Sequence, residues 1–155
     1  MQIPLRRILV PTDFSERSRV ALMYGVTLVE QFSGALHVLH VVEAVIGAAP
    51  MPWEIGPRDE LDRAIAETAW DQLNDLLPAE DRKRLKAEFA IEWGTPFVEI
   101  IRYARAHHID VIAMGTHGRG GARHLILGSV AENVVRNSPC PVLTVRHPDH
   151  QFVAP

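Results

Sequence analysis

The sequence predicts an α/β fold: an open parallel sheet of five strands with helices on both faces. Apolar runs unbroken by polar residues, the habit of strands covered on both sides, alternate with segments whose apolar residues recur at helical spacing. Such alternation closes into a parallel sheet through right-handed crossovers. Size agrees, since 155 residues, 47% hydrophobic and 23% charged, suffice for one core. A single domain over residues 1–147 with a tail at 148–155 is expected.

The first strand is RRILVPT, where Ile8, Leu9 and Val10 follow one another without a polar residue. Ala21, Tyr24, Leu28 and Phe32 then mark a helix, and Gly34 stands where its C-terminal stop would fall. ALHVLHVV (35–42) reads as a second buried strand. The stretch 43–58, carrying Pro50, Pro52, Trp53 and Pro57, is long for a loop in a compact domain and suits either a flap over a site or a tolerated insertion. Leu61, Ile65, Ala69, Leu73 and Leu76 mark the second helix. AEFAIEW (87–93) sets Phe89, Ile91 and Trp93 against Glu88, Ala90 and Glu92, which predicts one wet face and a place near the sheet edge. Thr95 and Pro96 suit the N-cap and first position of a third helix continuing through Phe97, Ile101, Ala104 and His108. DVIAMG is the fourth strand, SVAENVVRN a short helix with Val130 and Val134 inward, and PVLTV the fifth strand.

In the order 3-2-1-4-5 the fifth strand takes an edge. Val142, Leu143 and Val145 make it apolar, and no charge follows until Arg146. Exposed edges of that kind recruit pairing. A homodimer in which this strand pairs antiparallel with its copy is predicted, the alternative being a cover formed by the tail HPDHQFVAP.

A net charge of -3 gives no broad positive field, so nucleic-acid binding is not expected and any anion site must be local. One cysteine, Cys140, allows no internal disulfide, and MQIPLRRILVPTDFS lacks the apolar stretch of a signal peptide or membrane anchor. A cytoplasmic protein without membrane attachment is the expectation. No His/Cys spacing reads as a zinc site, and His107 and His108 suit the negative end of the third helix.

The stretch GTHGRGGARHLILGSV (115–130) joins the fourth strand to the last helix. It is not a P-loop, because no lysine precedes Ser129, and Gly118 and Gly120 begin a dinucleotide fingerprint that ends wrongly at Arg123. What remains is Gly115, two residues, Gly118, nine residues, then Gly128 and Ser129. This spacing resembles the ATP-binding branch of the universal stress proteins. VPTDFS after the first strand, HVV at the end of the second, and GSVAENVVRNSPCPVLTV extend the similarity over nearly the whole chain.

The residues and the resemblance point to the same roles. Gly115 would let a ribose or phosphate approach the backbone, and Gly118 allows a turn aiming N–H groups inward. Gly128, Ser129 and Val130 open the last helix, where N–H groups and the Ser129 hydroxyl suit phosphate oxygens. Capping is the competing explanation, with Asp13 paired to Glu16 and Ser129 to Glu132. Arg119 and, with less reason, Arg123 have the charge to neutralise a polyphosphate. The resemblance further implies that Asp13, near Pro11 and Thr12, faces the ribose and adenine end, that Val41 backbone atoms pair with the adenine edge, and that His117 lies near the phosphates.

The implied fold is Rossmann-like, of the adenine nucleotide alpha hydrolase kind. The implied ligand is ATP, or ADP or AMP, with Mg2+ or Mn2+ arriving on the phosphates instead of occupying a protein cage. The loop supplies no carboxylate set for hydrolysis. Binding with at most slow turnover is therefore expected, in a nucleotide-dependent stress switch that is not principally an enzyme. A dimeric stress or chaperone-like interaction protein that ignores nucleotide is the alternative, against which the complete glycine pattern argues. An ATP-using enzyme such as a nucleotidyl transferase would need catalytic groups that the sequence does not display.

Overall fold

The computed structural model describes residues 4–43, 58–116 and 128–146. The strands are β1 (Arg7–Thr12), β2 (Ala35–Glu43), β3 (Glu88–Gly94), β4 (Val111–Gly115) and β5 (Val142–Val145). The helices are α1 (Glu16–Phe32), α2 (Arg58–Leu76), α3 (Ala79–Arg84), α4 (Pro96–Ala106) and α5 (Ser129–Asn137). The sheet runs β3-β2-β1-β4-β5 with every neighbouring pair parallel, as predicted.

The unbroken apolar run of β1 follows from its central position. Ile8 and Val10 pack into a layer with Ala21, Leu22 and Val29 of α1 and Leu73 of α2. Leu9, pointing the other way, joins Ile100, Tyr103 and Ala104 of α4 and Ala131 and Val134 of α5. All three strand residues are fully buried, so a polar atom at any of them would lose water without gaining a partner.

Helix α1 meets the sheet on a face rotated from the predicted one. Tyr24 and Phe32 are 52% and 46% exposed, while Leu22, Gly25 and Val29 face inward beside Ala21. Side-chain volume decides this: a Cβ added at Gly25 would stand 2.4 Å from Val10 Cγ2, so the helix rests on β1 through its smallest residue. The left-handed C-terminal residue is Ser33, at φ 55, and not the predicted Gly34. The Gly34 N–H donates to the Val29 carbonyl at 3.0 Å, and a Cβ at Gly34 would lie 2.9 Å from the Arg6 carbonyl oxygen.

In α2, Ala69 and Leu73 are buried, but Leu61 is 63% exposed and Ile65 37%. The apolar stripe thus outruns the core, and Ile65 instead lines the cavity described below. Helix α3 follows Pro78 and was not anticipated, because AEDRKR carries no apolar periodicity. Arg84 ties it down through ion pairs with Glu30 of α1 and with Asp81.

Strand β3 lies at one edge as expected, with Glu88 and Glu92 exposed and Phe89 and Ile91 half-buried. Trp93 is 40% exposed, since only one neighbouring strand covers an edge. Thr95 and Pro96 open α4 as predicted, but the helix stops at Ala106 with His107 as its C-cap. His108 has φ 50 and so cannot continue it. Strand β5 holds the other edge, with Val145 buried and Leu143 37% exposed. The stretch 44–57 and the tail 147–155 lie outside the described residues. Among the described residues, no helix is long and apolar enough to cross a membrane.

Candidate functional site

The site forms at the carboxyl ends of the strands, where the order reverses between β1 and β4, the usual ligand position in open α/β sheets. A cavity of about 940 Å3 opens there, within the range of about 300–1,000 Å3 of small-molecule sites. Pro11, Thr12, Asp13, Val41, Gly115, Gly128, Ser129 and Val130 all line it. His117, Gly118, Arg119 and Arg123 lie outside the described residues.

The turn from β1 into α1 is held by short-range hydrogen bonds. Thr12 Oγ1 accepts from the Phe14 N–H at 3.0 Å and pairs with Ser18 Oγ at 3.1 Å, which stabilises Phe14 at φ 64. Ser15, not Asp13, caps α1, accepting from the Ser18 N–H at 3.3 Å. Asp13 Oδ1 braces that cap, accepting from the Ser15 N–H at 3.0 Å and from the Ser15 hydroxyl at 2.6 Å. The predicted Asp13–Glu16 capping pair is thus replaced by an Asp13–Ser15 pair, because the chain needs the left-handed Phe14 before its helix begins. His40 Nδ1 lies 2.9 Å from the Thr12 carbonyl oxygen. An acceptor-only partner requires the proton on Nδ1.

On the other side of β1, the Thr116 N–H donates to the Val145 carbonyl at 3.0 Å, and the Thr116 carbonyl accepts from the Gly128 N–H at 2.6 Å. Gly128 is the N-cap of α5, extended at φ -70 and ψ 158, and contributes no side-chain cap. Ser129 is therefore the first helical residue, which rules out a capping box built on it. Glu132 instead pairs with Arg136 at 2.8 Å. First-turn N–H groups have no acceptor within their helix. Those of Ser129, Val130 and Ala131 stand at the cavity wall with the positive end of the helix dipole, an arrangement that attracts anions.

Gly115 lines the cavity through its backbone, but its missing side chain serves another contact. A Cβ there would lie 3.3 Å from the Arg17 carbonyl carbon and oxygen, so close packing of α1 is what the glycine permits.

Sequence reasoning missed the wall contributed by α2, where Ala64, Ile65, Thr68 and Gln72 face the cavity, and missed Glu43 at the end of β2. The stripe through Leu61 and Ile65, longer than the core requires, was the available signal. The lining is mixed: Leu39, Val41 and Ile65 set apolar surface among the polar His40, Glu43, Thr68 and Gln72 on the β2 and α2 side, and Thr116 and Ser129 stand beside Met114 and Val130 on the β4 and α5 side. Among the described residues, a His/Glu cluster able to hold an ion, His37, Glu88 and His107, lies outside this cavity.

The universal stress protein family model matches residues 4–146. The chain is 32% identical over 155 residues to universal stress protein MJ0531 of Methanocaldococcus jannaschii, covering 92% of this chain and 83% of that protein. It is 32% identical over 145 residues to universal stress protein YxiE of Bacillus subtilis, covering 90% and 98%. Among solved structures, the protein MJ0577, whose structure served a structure-based assignment of biochemical function, superposes with a TM-score of 0.75 at 27% identity, covering 96% of this chain and 100% of that one. With a family model spanning the fold and relatives aligned along 83% and 98% of their length, the chain belongs to the universal stress protein family.

Proposed function

We propose that the cavity binds an adenine nucleotide, ATP or its products ADP and AMP, and that the protein acts in the stress response as a nucleotide-dependent switch. The observation that carries this reading is the uncapped N-terminus of α5, whose Gly128, Ser129 and Val130 open onto the same cavity as Asp13 and Val41. Phosphates sit against Gly128, Ser129 and Val130, with His117, Gly118 and Arg119 contributing from the loop between β4 and α5. Asp13, beside Pro11 and Thr12, faces the ribose, and Val41 backbone atoms meet the adenine edge, where the apolar wall of Leu39 and Ile65 supports the base.

Mg2+ or Mn2+ arrives with the phosphates. Hydrolysis is at most slow, a reading supported by the engagement of two carboxylates near the cavity: Asp13 braces the α1 cap and Glu132 pairs with Arg136. The apolar edge strand β5, with Leu143 exposed between Val142 and the buried Val145, supports a homodimer through Val142, Leu143 and Val145. A cytoplasmic location is part of the same reading.

Calorimetric titration with ATP, ADP, AMP and GTP tests the proposal. Saturable heat with the adenine nucleotides, weaker with GTP, is the expected result. No heat with any of them would overturn it in favour of an interaction protein independent of nucleotide.

A further inference from the structure

We propose that His37, Glu88 and His107 form a site for a divalent transition metal, zinc by preference, at the end of the sheet opposite the nucleotide cavity. The three residues come from β2, β3 and the end of α4, and strand register brings the first two together. His37 pairs with Glu88 across the parallel β2–β3 ladder, so both side chains leave the same face. That face is the one covered by α4, whose last turn supplies Tyr103 and, four residues later, His107.

The geometry has a fixed member and two adjustable ones. His37 is 3% exposed, and its Nδ1 lies 3.1 Å from the Tyr103 hydroxyl and 3.7 Å from Glu88 Oε2. The His107 ring stacks on Tyr103, with centroids 3.9 Å apart and planes at 18°, and lies 5.7 Å from the His37 ring. One candidate ligand atom from each of the three residues lies within 4.8 Å of the other two. Zinc held at about 2.0–2.2 Å by nitrogen and oxygen needs its ligands about 3.3 Å apart. The remaining contraction falls to the exposed side chains of Glu88, which has rotamers to spare, and His107, which shifts along its stack on Tyr103.

Two imidazoles and a carboxylate are a donor set for zinc, and three protein ligands leave a fourth position for water. Burial pushes the His37 pKa down, against the opposing pull of Glu88. Burial also pushes the Tyr103 phenol up to about 12. It stays protonated and acts as a positioning residue, fixing the His37 ring and stacking on His107. The exposed Glu88 leaves an entry path for the ion. Nothing in this site draws on the nucleotide proposal, so either can fail without the other.

Zinc titration of the chelator-treated, nucleotide-free protein by calorimetry, with Co2+ absorption as an optical readout, is the test. One Zn2+ per chain and the intense visible bands of four-coordinate Co2+ are expected. His107→Ala and Glu88→Gln should each weaken zinc at least tenfold with unchanged circular dichroism. Tyr103→Phe should weaken it by roughly tenfold, the scale of second-sphere effects on metal affinity, while His108→Ala changes nothing. Wild-type protein that binds no zinc, or zinc affinity that persists unchanged in both His107→Ala and Glu88→Gln, overturns the site. Glu88→Gln, nearly isosteric and exposed, keeps the test decisive should His107→Ala fail to fold.

Discussion

The Gly128 N–H donates to the Thr116 carbonyl at 2.6 Å, tying the start of α5 to the end of β4. Both flanks of the stretch 117–127 therefore meet at the cavity. The first turn of α5 is held in place by the sheet itself, and preorganisation of this kind lowers the entropic cost of binding.

Ser129→Asp places a carboxylate at the first position of α5. A negative charge there favours the helix by about 0.3–1 kcal/mol through the dipole, yet repels phosphates from the cavity. The two effects separate cleanly: the melting temperature should hold or rise, while ATP affinity measured by calorimetry falls at least tenfold. Unchanged ATP affinity would remove α5 from the nucleotide site.

Leu143→Lys puts a charge on the exposed edge of β5, where unpaired strands are commonly guarded by lysine. Sedimentation velocity should show the wild-type chain as a dimer and the variant as a folded monomer. A wild-type chain that sediments only as a monomer at micromolar concentration rejects the β5 interface outright.

Gly25→Ala drives a methyl to within 2.4 Å of Val10 Cγ2, a stiff β-branched group that is fully buried. Overpacking of this kind costs about 1–3 kcal/mol, partly offset by the helix preference for alanine, about 1 kcal/mol. Urea denaturation should show net destabilisation, and Val10→Ala in the Gly25→Ala background should cost less than Val10→Ala alone. Additive costs would mean that α1 does not rest on β1 through Gly25.

Burial pushes the Cys140 thiol pKa above its usual value, and the repulsion of Asp110 adds to this, while the hydrogen bond with Ser138 works the other way. At pH 8 the thiol should react with a disulfide reagent several-fold more slowly than free cysteine, and Ser138→Ala should slow it further. A raised folded pKa means the unfolded chain sheds this proton first, so the contribution is complete at neutral pH and is lost as pH rises above 9. Reaction as fast as free cysteine would contradict the burial of this side chain.

The alternation of elements was legible because period is written locally: Ile8 to Val10 run unbroken as a strand covered on both faces does, and Phe97 to Ala104 recur at helical spacing. The cavity-lining positions at Asp13, Val41 and Ser129 were legible because strand ends and helix starts are. What was not legible depends on fit between elements. The inward face of α1 turns on the absence of one side chain at Gly25, which hydrophobic periodicity does not count. Helix α3 has no apolar period to read. His37, Glu88 and His107 stand far apart in sequence and meet only through strand register and the packing of α4.

The corner between α1 and β2 divides between two residues the work one glycine often does. Ser33 holds the left-handed turn, at a cost of about 1–2 kcal/mol for a residue with a Cβ, while Gly34 admits the Arg6 carbonyl. Only the second duty demands a hydrogen side chain. Ser33 is thus the replaceable half of the corner, where glycine would recover stability the fold currently forgoes, and Gly34 is the half that cannot be traded without separating the entrance to β1 from the helix above it.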